Sequence, residues 1–595
     1  MKVLLAAINA KYIHSNLGIY SLKTYGEKML KEWGLAEQAE ISLAEYTINH
    51  QMEQILQDIY KRKPDVIGFS CYIWNISYVK MILADIKKVL PDVKIWAGGP
   101  EVSYHAEAFL KEEPAVDLVM MGEGELTFAH FLKALLNGEE LKQVSGLMLR
   151  NDDGTFTDTG FRQVMDMSQI PFPYAFMDMK ELEHRIIYYE SSRGCPFSCA
   201  YCLSSIDKKL RFRSLDLVLP ELEWFLQAKV PQVKFVDRTF NCKKSHAMAI
   251  WQYIRDHDNG ITNFHFEIAA DLLDKDELDL LSTMRPGLVQ LEIGVQSTNE
   301  KTLETIRRKT DIEEIRQITE TINSWHNIHQ HLDLIVGLPW EDLKRFKQSF
   351  NDVYSMEPEQ LQLGFLKILK GSYMEELIPD CDLLYSTAPP YEVLQTKWLS
   401  YGDVLELKDI EEMTEVHYNS RQFTCTLKEL EKEFNTPYEM FSFMAGYYNK
   451  NHLSGISHSR IARYEILWKM IQVKLEKSER YETHENHAHR GTEVNPGISE
   501  KLEKYRDLLM TDLYLRENVK SRPTFARDLS GSKDFVREFF QKEEKTPQYL
   551  SGYEGYDSRQ MAKMAHLEPL RDGTYLLFDY KRRDPLSYNA RTVRV

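Results

Sequence analysis

The chain has 595 residues with 74 Lys and Arg against 90 Asp and Glu, a formal net charge of −16. At roughly 150 residues per domain this length implies several cores, about four on length alone. Hydrophobic residues at 43% and charged ones at 28% exclude a disordered, collagen-like or membrane-embedded chain, and the acidic balance argues against nucleic-acid binding through bulk charge.

The opening MKVLLAAINA has the outline of a short signal peptide. It also reads as a buried first strand, and the alternation after it supports the strand. No apolar run approaches the roughly 20 residues that would span a bilayer. Short apolar runs at Val3–Ile8, Ile41–Tyr46, Asp65–Ser70, Lys94–Trp96 and Asp117–Met121 alternate with helical patterns at Leu17–Lys31, Gln51–Lys61, Tyr78–Leu90 and Phe128–Leu136. Five βα units predict a doubly wound parallel sheet over residues 1–140. Such a sheet takes ligands at the carboxyl ends of its strands, and Asn9–Gly18, Ser70–Asn75, Gly98–Glu101 and Gly122–Glu125 stand there, rich in Gly, Ser, Asn or Glu.

Residues 141–184, with Pro171-Phe-Pro173, read as a linker. A second series then places strands at Ile186–Glu190, Val233–Asp237, Asn263–Ala269, Leu288–Ile293, His331–Val336 and Leu361–Leu369. Helical patterns at Leu215–Gln227, Asp274–Met284, Glu300–Arg308, Ile312–His326 and Glu341–Tyr354 alternate with them. Six βα units over residues 185–390 predict a partial (β/α)6 barrel, opened on one side relative to the eight-stranded form. After about Pro390 helical patterns dominate to residue 595, as at Tyr438–Asn449, Ile461–Lys477 and Ile498–Leu515, and the polar stretch Lys477–Glu493 reads as a loop.

Seven cysteines are too few for a disulfide scaffold, and an odd number leaves one unpaired, which points to a reducing, cytoplasmic setting. Three of them, Cys195, Cys199 and Cys202, form C-x3-C-x2-C directly after the first strand of the second series. Three thiolates on one loop can ligate three irons of a [4Fe–4S] cluster and leave the fourth open. The competing readings are a zinc site with a distant fourth ligand and coincidental core cysteines. Structural zinc usually shows paired C-x2-C units, whereas this loop sits at the mouth of a barrel, where function belongs. Cys71, Cys242, Cys381 and Cys425 are isolated and read as small buried hydrophobes, with Cys242 nearest the barrel mouth.

This stretch resembles the radical S-adenosylmethionine (SAM) superfamily, whose signature is the same spacing with an aromatic residue before the last Cys, here Tyr201. The resemblance implies that SAM chelates the open iron and is reductively cleaved to a 5′-deoxyadenosyl radical that abstracts a substrate hydrogen, with a flavodoxin or ferredoxin as electron donor. It implies SAM contacts from Asp237 and Arg238 after the second strand, Glu267 on the third, Gln296 and Ser297 after the fourth, and Gly337 after the fifth. For each polar residue a helix cap or structural hydrogen bond is the competing reading.

A doubly wound domain ahead of such a barrel resembles the cobalamin-binding subgroup of the superfamily. The resemblance implies cobalamin contacts from Asn9, His14, Ser70, Trp74, Asn75, Gly98, Gly99, Glu101, Gly122 and Glu123. Many cobalamin proteins carry Asp-x-His-x-x-Gly, but His14 is followed by Ser-Asn-Leu-Gly18 and lacks the Asp, so its place as a cobalt ligand competes with that of a polar loop residue. A methylthiotransferase, with three further cysteines upstream, is excluded because only Cys71 lies there. The region 391–595 resembles an uncharacterised helical domain that accompanies some of these proteins. Its His484, His487 and His489 read as solvated rather than metal-binding, and Lys581, Arg582, Arg583, Arg591 and Arg594 read as a charged hairpin edge. The expected function is methylation of an unactivated carbon; a non-methylating radical reaction, and a cluster- or cobalamin-binding sensor or scaffold, are the alternatives.

Overall fold

In a computed structural model that describes residues 1–175, 177, 184–485 and 496–595, the chain divides into two units, Met1–Phe346 with Gly364–Val404 and Lys347–Leu363 with Leu405–Val595. The first unit opens with β1 (Lys2–Asn9), β2 (Glu40–Thr47), β3 (Val66–Ser70), β4 (Lys94–Gly98) and β5 (Leu118–Met120). These strands pair in parallel in the order β2-β1-β3-β4-β5. Strand order reverses at β1, so the crevice of this sheet opens beyond the carboxyl ends of β1 and β3. The stretch with the outline of a signal peptide is β1, an interior strand of this sheet, and Val3 to Ile8 are all 0% exposed. A strand covered on both faces reads as a continuous apolar run rather than as an alternation. The loop after β1 ends at Asn16, whose Oδ1 accepts from the Ile19 N–H at 3.2 Å and caps the helix Leu17–Glu32.

The segment read as a linker contributes structure of its own. From it, β6 (Leu147–Arg150) and β7 (Phe156–Asp158) extend the first sheet antiparallel beyond β5. Antiparallel strands need no crossover helix, so the βα rhythm stops while the sheet continues.

The second series starts at β8 (Ile187–Tyr189). An antiparallel ribbon of β9 (Ser192–Arg193) and β10 (Arg211–Phe212) follows and carries the cysteine loop between its arms. Next come β11 (Gln232–Phe235), β12 (Asn263–Ile268), β13 (Val289–Gln296), β14 (His329–Val336) and β15 (Gln360–Phe365). The sheet order β15-β14-β13-β12-β11-β8 follows the chain order, with β8 and β15 at its edges, which is the open six-stranded layout expected. Alternation sorts the side chains of each strand: Val289, Leu291, Ile293 and Val295 are buried at 1% exposure or less, while Gln290, Glu292 and Gly294 take the other face. Past the barrel, β16 (Leu384–Tyr385) and β17 (Val393–Gln395) form an antiparallel pair. Helix resumes only at Tyr401, later than Pro390, because Pro389 and Pro390 supply no N–H for a helix interior.

The second unit is mainly helical, with Pro437–Lys450, Arg460–Glu485 and Pro496–Arg516 among its helices. It ends in an antiparallel sheet of β18 (Ala565–Pro569), β19 (Tyr575–Arg583) and β20 (Ala590–Arg594), and these last two strands carry the five basic residues of the expected hairpin. The polar stretch read as a loop is helical as far as Glu485, including position 484. Its part up to Glu485 lacks Gly and Pro and is rich in Glu, Lys and Arg, which favour helix despite their polarity. Residues 486–495, with His487 and His489, lie outside the described residues.

Arg213, 6% exposed, fastens the chain ahead of the barrel to the barrel's first helix. Its guanidinium donates to Glu221 at 2.9 Å and to the Met167 and Ile170 carbonyls at 2.7 and 2.8 Å. Arg213→Met leaves the Glu221 carboxylate buried without its cation and is expected to cost about 3–5 kcal/mol. The measurement is the thermal unfolding midpoint, which falls in the single variant and recovers most of the loss in Arg213→Met combined with Glu221→Met.

Candidate active site

The cysteine loop leaves β9 through Gly194, at φ 86, where a Cβ would lie 2.7 Å from the Lys209 carbonyl oxygen, so the turn requires glycine. Backbone bonds then pin the loop. The Cys195 N–H donates to Asp207 O at 3.2 Å, the Ala200 N–H to Ile306 O at 2.9 Å, and the Met374 N–H to Ala200 O at 2.9 Å. As a result Cys195, Cys199 and Cys202 line one cavity of about 170 Å3, together with Tyr201, Arg238, Glu267 and Gln296. All three are free thiols. Burial raises the Cys195 thiol above its ordinary value, and the neighbouring Cys202 and Cys199 add to the rise.

The wall facing the thiols is polar. Burial pushes Glu267 up to about 7, with the charge of Glu292 adding and Arg238 opposing. Gln296 ends β13 at φ 73, where the register with β14 slips between Gly294 and Gln296. Bulges of this kind re-aim a side chain beside a site. The Gln296 amide folds back so closely that a Cβ on Gly294 would meet its Nε2 at 2.2 Å, and its Oε1 is buried without a hydrogen-bond partner. A strained backbone and an unsatisfied acceptor in one residue mark a place shaped for something other than stability.

Arg308 was not singled out from the sequence. Its Nη1 lies 3.7 Å from Cys199 Sγ and 3.4 Å from the Tyr201 hydroxyl, so it offers a charged N–H to one of the three sulfurs. The only trace of it in the sequence is the cationic run Arg307-Arg308-Lys309. Glu292 and Asp333 also line the cavity without having been expected there.

Three residues expected beside SAM do not line it. Both oxygens of Asp237 are used, Oδ1 accepting from Ser191 Oγ at 2.7 Å and Oδ2 from the Ser191 N–H at 2.9 Å, and burial raises this carboxyl to about 6. Ser297 donates to Glu341 Oε1 at 2.7 Å within the core. Gly337, at φ 91, faces Val393. Burial disfavours the thiolate of the isolated cysteines, raising Cys71 and Cys425 to about 12 and Cys242 to about 11, and Cys381 upward as well.

A second cavity of about 630 Å3 opens at the carboxyl ends of the first sheet. Ser70, Gly98, Gly99, Gly122 and Glu123 line it as expected, joined by Trp96, Tyr104 and Phe161. Trp96 lies across Gly68, with its indole N–H buried and unpartnered. The Glu123 carboxylate is taken up by Arg211 at 2.9 Å. The other five expected residues do not line this cavity. Asn9 donates to Glu45 at 2.9 Å, Asn75 to the Ser70 carbonyl at 2.8 Å, and Glu101 accepts from Lys370 at 2.8 Å and Tyr391 at 2.6 Å. Trp74 stacks on Tyr72 with ring centroids 4.3 Å apart, and His14 Nδ1 lies 2.7 Å from the Tyr188 hydroxyl.

A glycine-lined cavity at the end of a doubly wound sheet, ahead of a three-cysteine loop on an open barrel, defines a chain with two cofactor-type sites. Family models identify the parts as a B12 binding domain over residues 3–132, the radical SAM superfamily over 189–353, and a protein of unknown function, DUF4080, over 380–581. The chain is a B12-binding-domain radical SAM protein with a DUF4080 region at its C-terminal end.

It is 26% identical over 330 residues to the cobalamin-dependent radical SAM methyltransferase TokK of Streptomyces tokunonensis, a match covering 52% of this chain and 48% of that protein. It is 26% identical over 291 residues to the anaerobic magnesium-protoporphyrin IX monomethyl ester cyclase of a Synechocystis species, covering 46% of this chain and 56% of that one. The chain thus spans about half the length of these curated relatives. The solved structure of the cobalamin-dependent S-adenosylmethionine radical enzyme OxsB, with aqua-cobalamin and S-adenosylmethionine bound, shares the fold at a TM-score of 0.58 and 15% identity, over 85% of this chain and 83% of that one. No described helix is long and apolar enough to cross a membrane.

The raised Glu267 has a stability signature. The native state keeps its proton up to about 7, whereas the unfolded chain releases it near 4.5, so between these values the native state binds more protons and stability falls as pH rises. In Glu267→Gln this contribution disappears. The expected outcome is a flatter dependence of the thermal midpoint on pH across that window, with the wild type losing more on its alkaline side.

Proposed function

We propose that the chain is a cobalamin-dependent radical SAM enzyme that transfers a methyl group to an unactivated carbon. The observation that supports this reading is the position of the cysteine loop between the two cavities. Its thiols and Ser205 line the smaller cavity, while Ile206 and Asp207 line the larger. The donor sets fit the groups concerned. Cys195, Cys199 and Cys202 would hold three irons of a [4Fe–4S] cluster. Arg238, Glu267 and the unpartnered Gln296 Oε1 offer the donor and acceptors that the amino-acid and ribose parts of SAM need. Gly98, Gly99 and Gly122 would let a flat macrocycle approach the first sheet, and Trp96 and Ser70 of the same cavity would help to hold it.

When bound, these groups supply reductive cleavage of SAM and carriage of a methyl group. The chain's own residues bind, orient and exclude water. Arg308 places an N–H against Cys199 Sγ and offsets thiolate charge. Tyr201 closes the cavity beside it. Glu267, held near neutrality by burial, either donates or accepts a hydrogen bond at physiological pH. An oxygen-sensitive cluster calls for a reducing cytoplasm and for an electron donor such as a flavodoxin or ferredoxin.

A second reading, a radical reaction without methyl transfer, is favoured by the similarity to a cyclase. Anaerobically reconstituted protein, incubated with SAM and reductant, is expected to form 5′-deoxyadenosine and S-adenosylhomocysteine and to show corrin absorption beside that of the cluster. 5′-Deoxyadenosine alone supports the second reading, and the absence of both products overturns the two together. Cys199→Ala is expected to lose cluster iron and 5′-deoxyadenosine. Ser70→Trp, which puts a ring into the larger cavity, is expected to lose corrin absorption but keep its iron. Arg308→Gln removes a charged hydrogen bond to sulfur and is expected to lower the cluster's midpoint potential in a redox titration followed by electron paramagnetic resonance.

A further inference from the structure

One end of the smaller cavity carries charged strand residues that neither the cluster nor SAM accounts for. Glu292 on β13 stands opposite His331 on β14, and Asp333 follows His331 by two positions, so all three project from the same face. Glu292 and Asp333 line the cavity that the three thiols share. One ligand atom from each of the three residues lies within 4.8 Å of the other two. His331 is 6% exposed, and its Nε2 pairs with Asp333 Oδ1 at 3.1 Å without the alignment of a hydrogen bond. Behind them, Lys234 Nζ and His265 Nε2 both approach Glu292 Oε2 at 2.9 Å.

We propose that Glu292, His331 and Asp333 bind one divalent first-row transition-metal ion. The donor set is an imidazole with two carboxylates, which suits manganese, iron or zinc, whereas soft thiolate donors would select copper(I). Bonds of about 2.1 Å hold two donors no more than about 4.2 Å apart, so adjustments of a few tenths of an ångström close the site. Lys234 and His265 hold the Glu292 carboxylate from behind, as the outer partners of metal ligands do. Three protein ligands leave coordination positions open toward the cavity. There the ion takes an oxygen of the substrate, from a hydroxyl, carboxylate or phosphate. That use rests on the proposed function, whereas the ion site rests on these residues alone.

The test treats anaerobically reconstituted full-length protein with excess Mn2+, removes the unbound ion, and counts manganese, zinc and iron per chain. The wild type is expected to hold one ion more than His331→Ala or the near-isosteric Asp333→Asn, with cluster absorbance equal in all three, and to bind Mn2+ at least about tenfold more tightly. Equal metal counts in wild type and both variants overturn the site. 5′-Deoxyadenosine release from SAM, assayed on the same wild-type sample, separates the two ideas: release with equal counts removes only the ion, and an extra ion without release removes only the radical reading.

Discussion

The Arg193 guanidinium holds together the two halves on which both cavities depend. It reaches Glu125 at 2.6 Å, Glu190 at 2.8 Å and Glu123 at 3.5 Å. Arg211 takes the other side of Glu123 and reaches Asp207 at 2.6 Å. Two of these carboxylates follow β5 of the first sheet, while both arginines sit on the ribbon that carries the cysteines. Buried charges of this kind persist only when each is matched, so the ribbon has one registry against the sheet. Burial works to raise Glu125, and Arg193 more than cancels it, leaving that carboxyl below its ordinary value. Glu190 stays above its own value because burial outweighs the same cation. The lock fixes the wall between the cavities.

Within the barrel the polar residues are distributed by strand parity. Tyr188, Lys234, His265 and Glu267, Glu292, and His331 and Asp333 lie in register across β8, β11, β12, β13 and β14. Their neighbours one position away are buried, and all but Gln330 are apolar or aromatic. An interior so charged does not suit a hydrocarbon guest, and it is kept from collapsing by contacts such as Lys234 with Glu292. The bulge at Gln296 interrupts this regular pattern, and the Gln296 side chain lines the cavity that the thiols share.

Much of this was legible in the linear chain, for identifiable reasons. Alternation of apolar runs with helical periods locates strands because burial imposes it, and the five parallel strands of the first sheet and the six strands of the second were legible. The cysteine spacing is local, and a single loop delivers all three thiols. The contacts from the first domain were legible only in part. Ser70 and the glycines line the cavity, because small residues after parallel strands end where the sheet opens. The polar side chains Asn9, Asn75 and Glu101 turn to nearer backbone or charged partners. Arg308 escaped notice because it reaches Cys199 across 109 residues, and no periodicity encodes such a meeting. The strands β6 and β7 were hidden because short antiparallel additions leave no helical punctuation.

The loop holding His14 also docks on the barrel's first strand. The Ile186 N–H donates to Ile13 O at 2.7 Å, Ser15 Oγ donates to Ile186 O at 3.0 Å, and His14 bridges to Ile186 in parallel. Since β8 is an edge of the second sheet, its start is occupied by a piece of chain made more than 170 residues earlier. An exposed edge invites pairing with other chains, and domains fold in order as they leave the ribosome, the N-terminal one first. The first domain is therefore in place before β8 emerges. Its first loop is thus at hand to cover the start of that edge as soon as the edge is made.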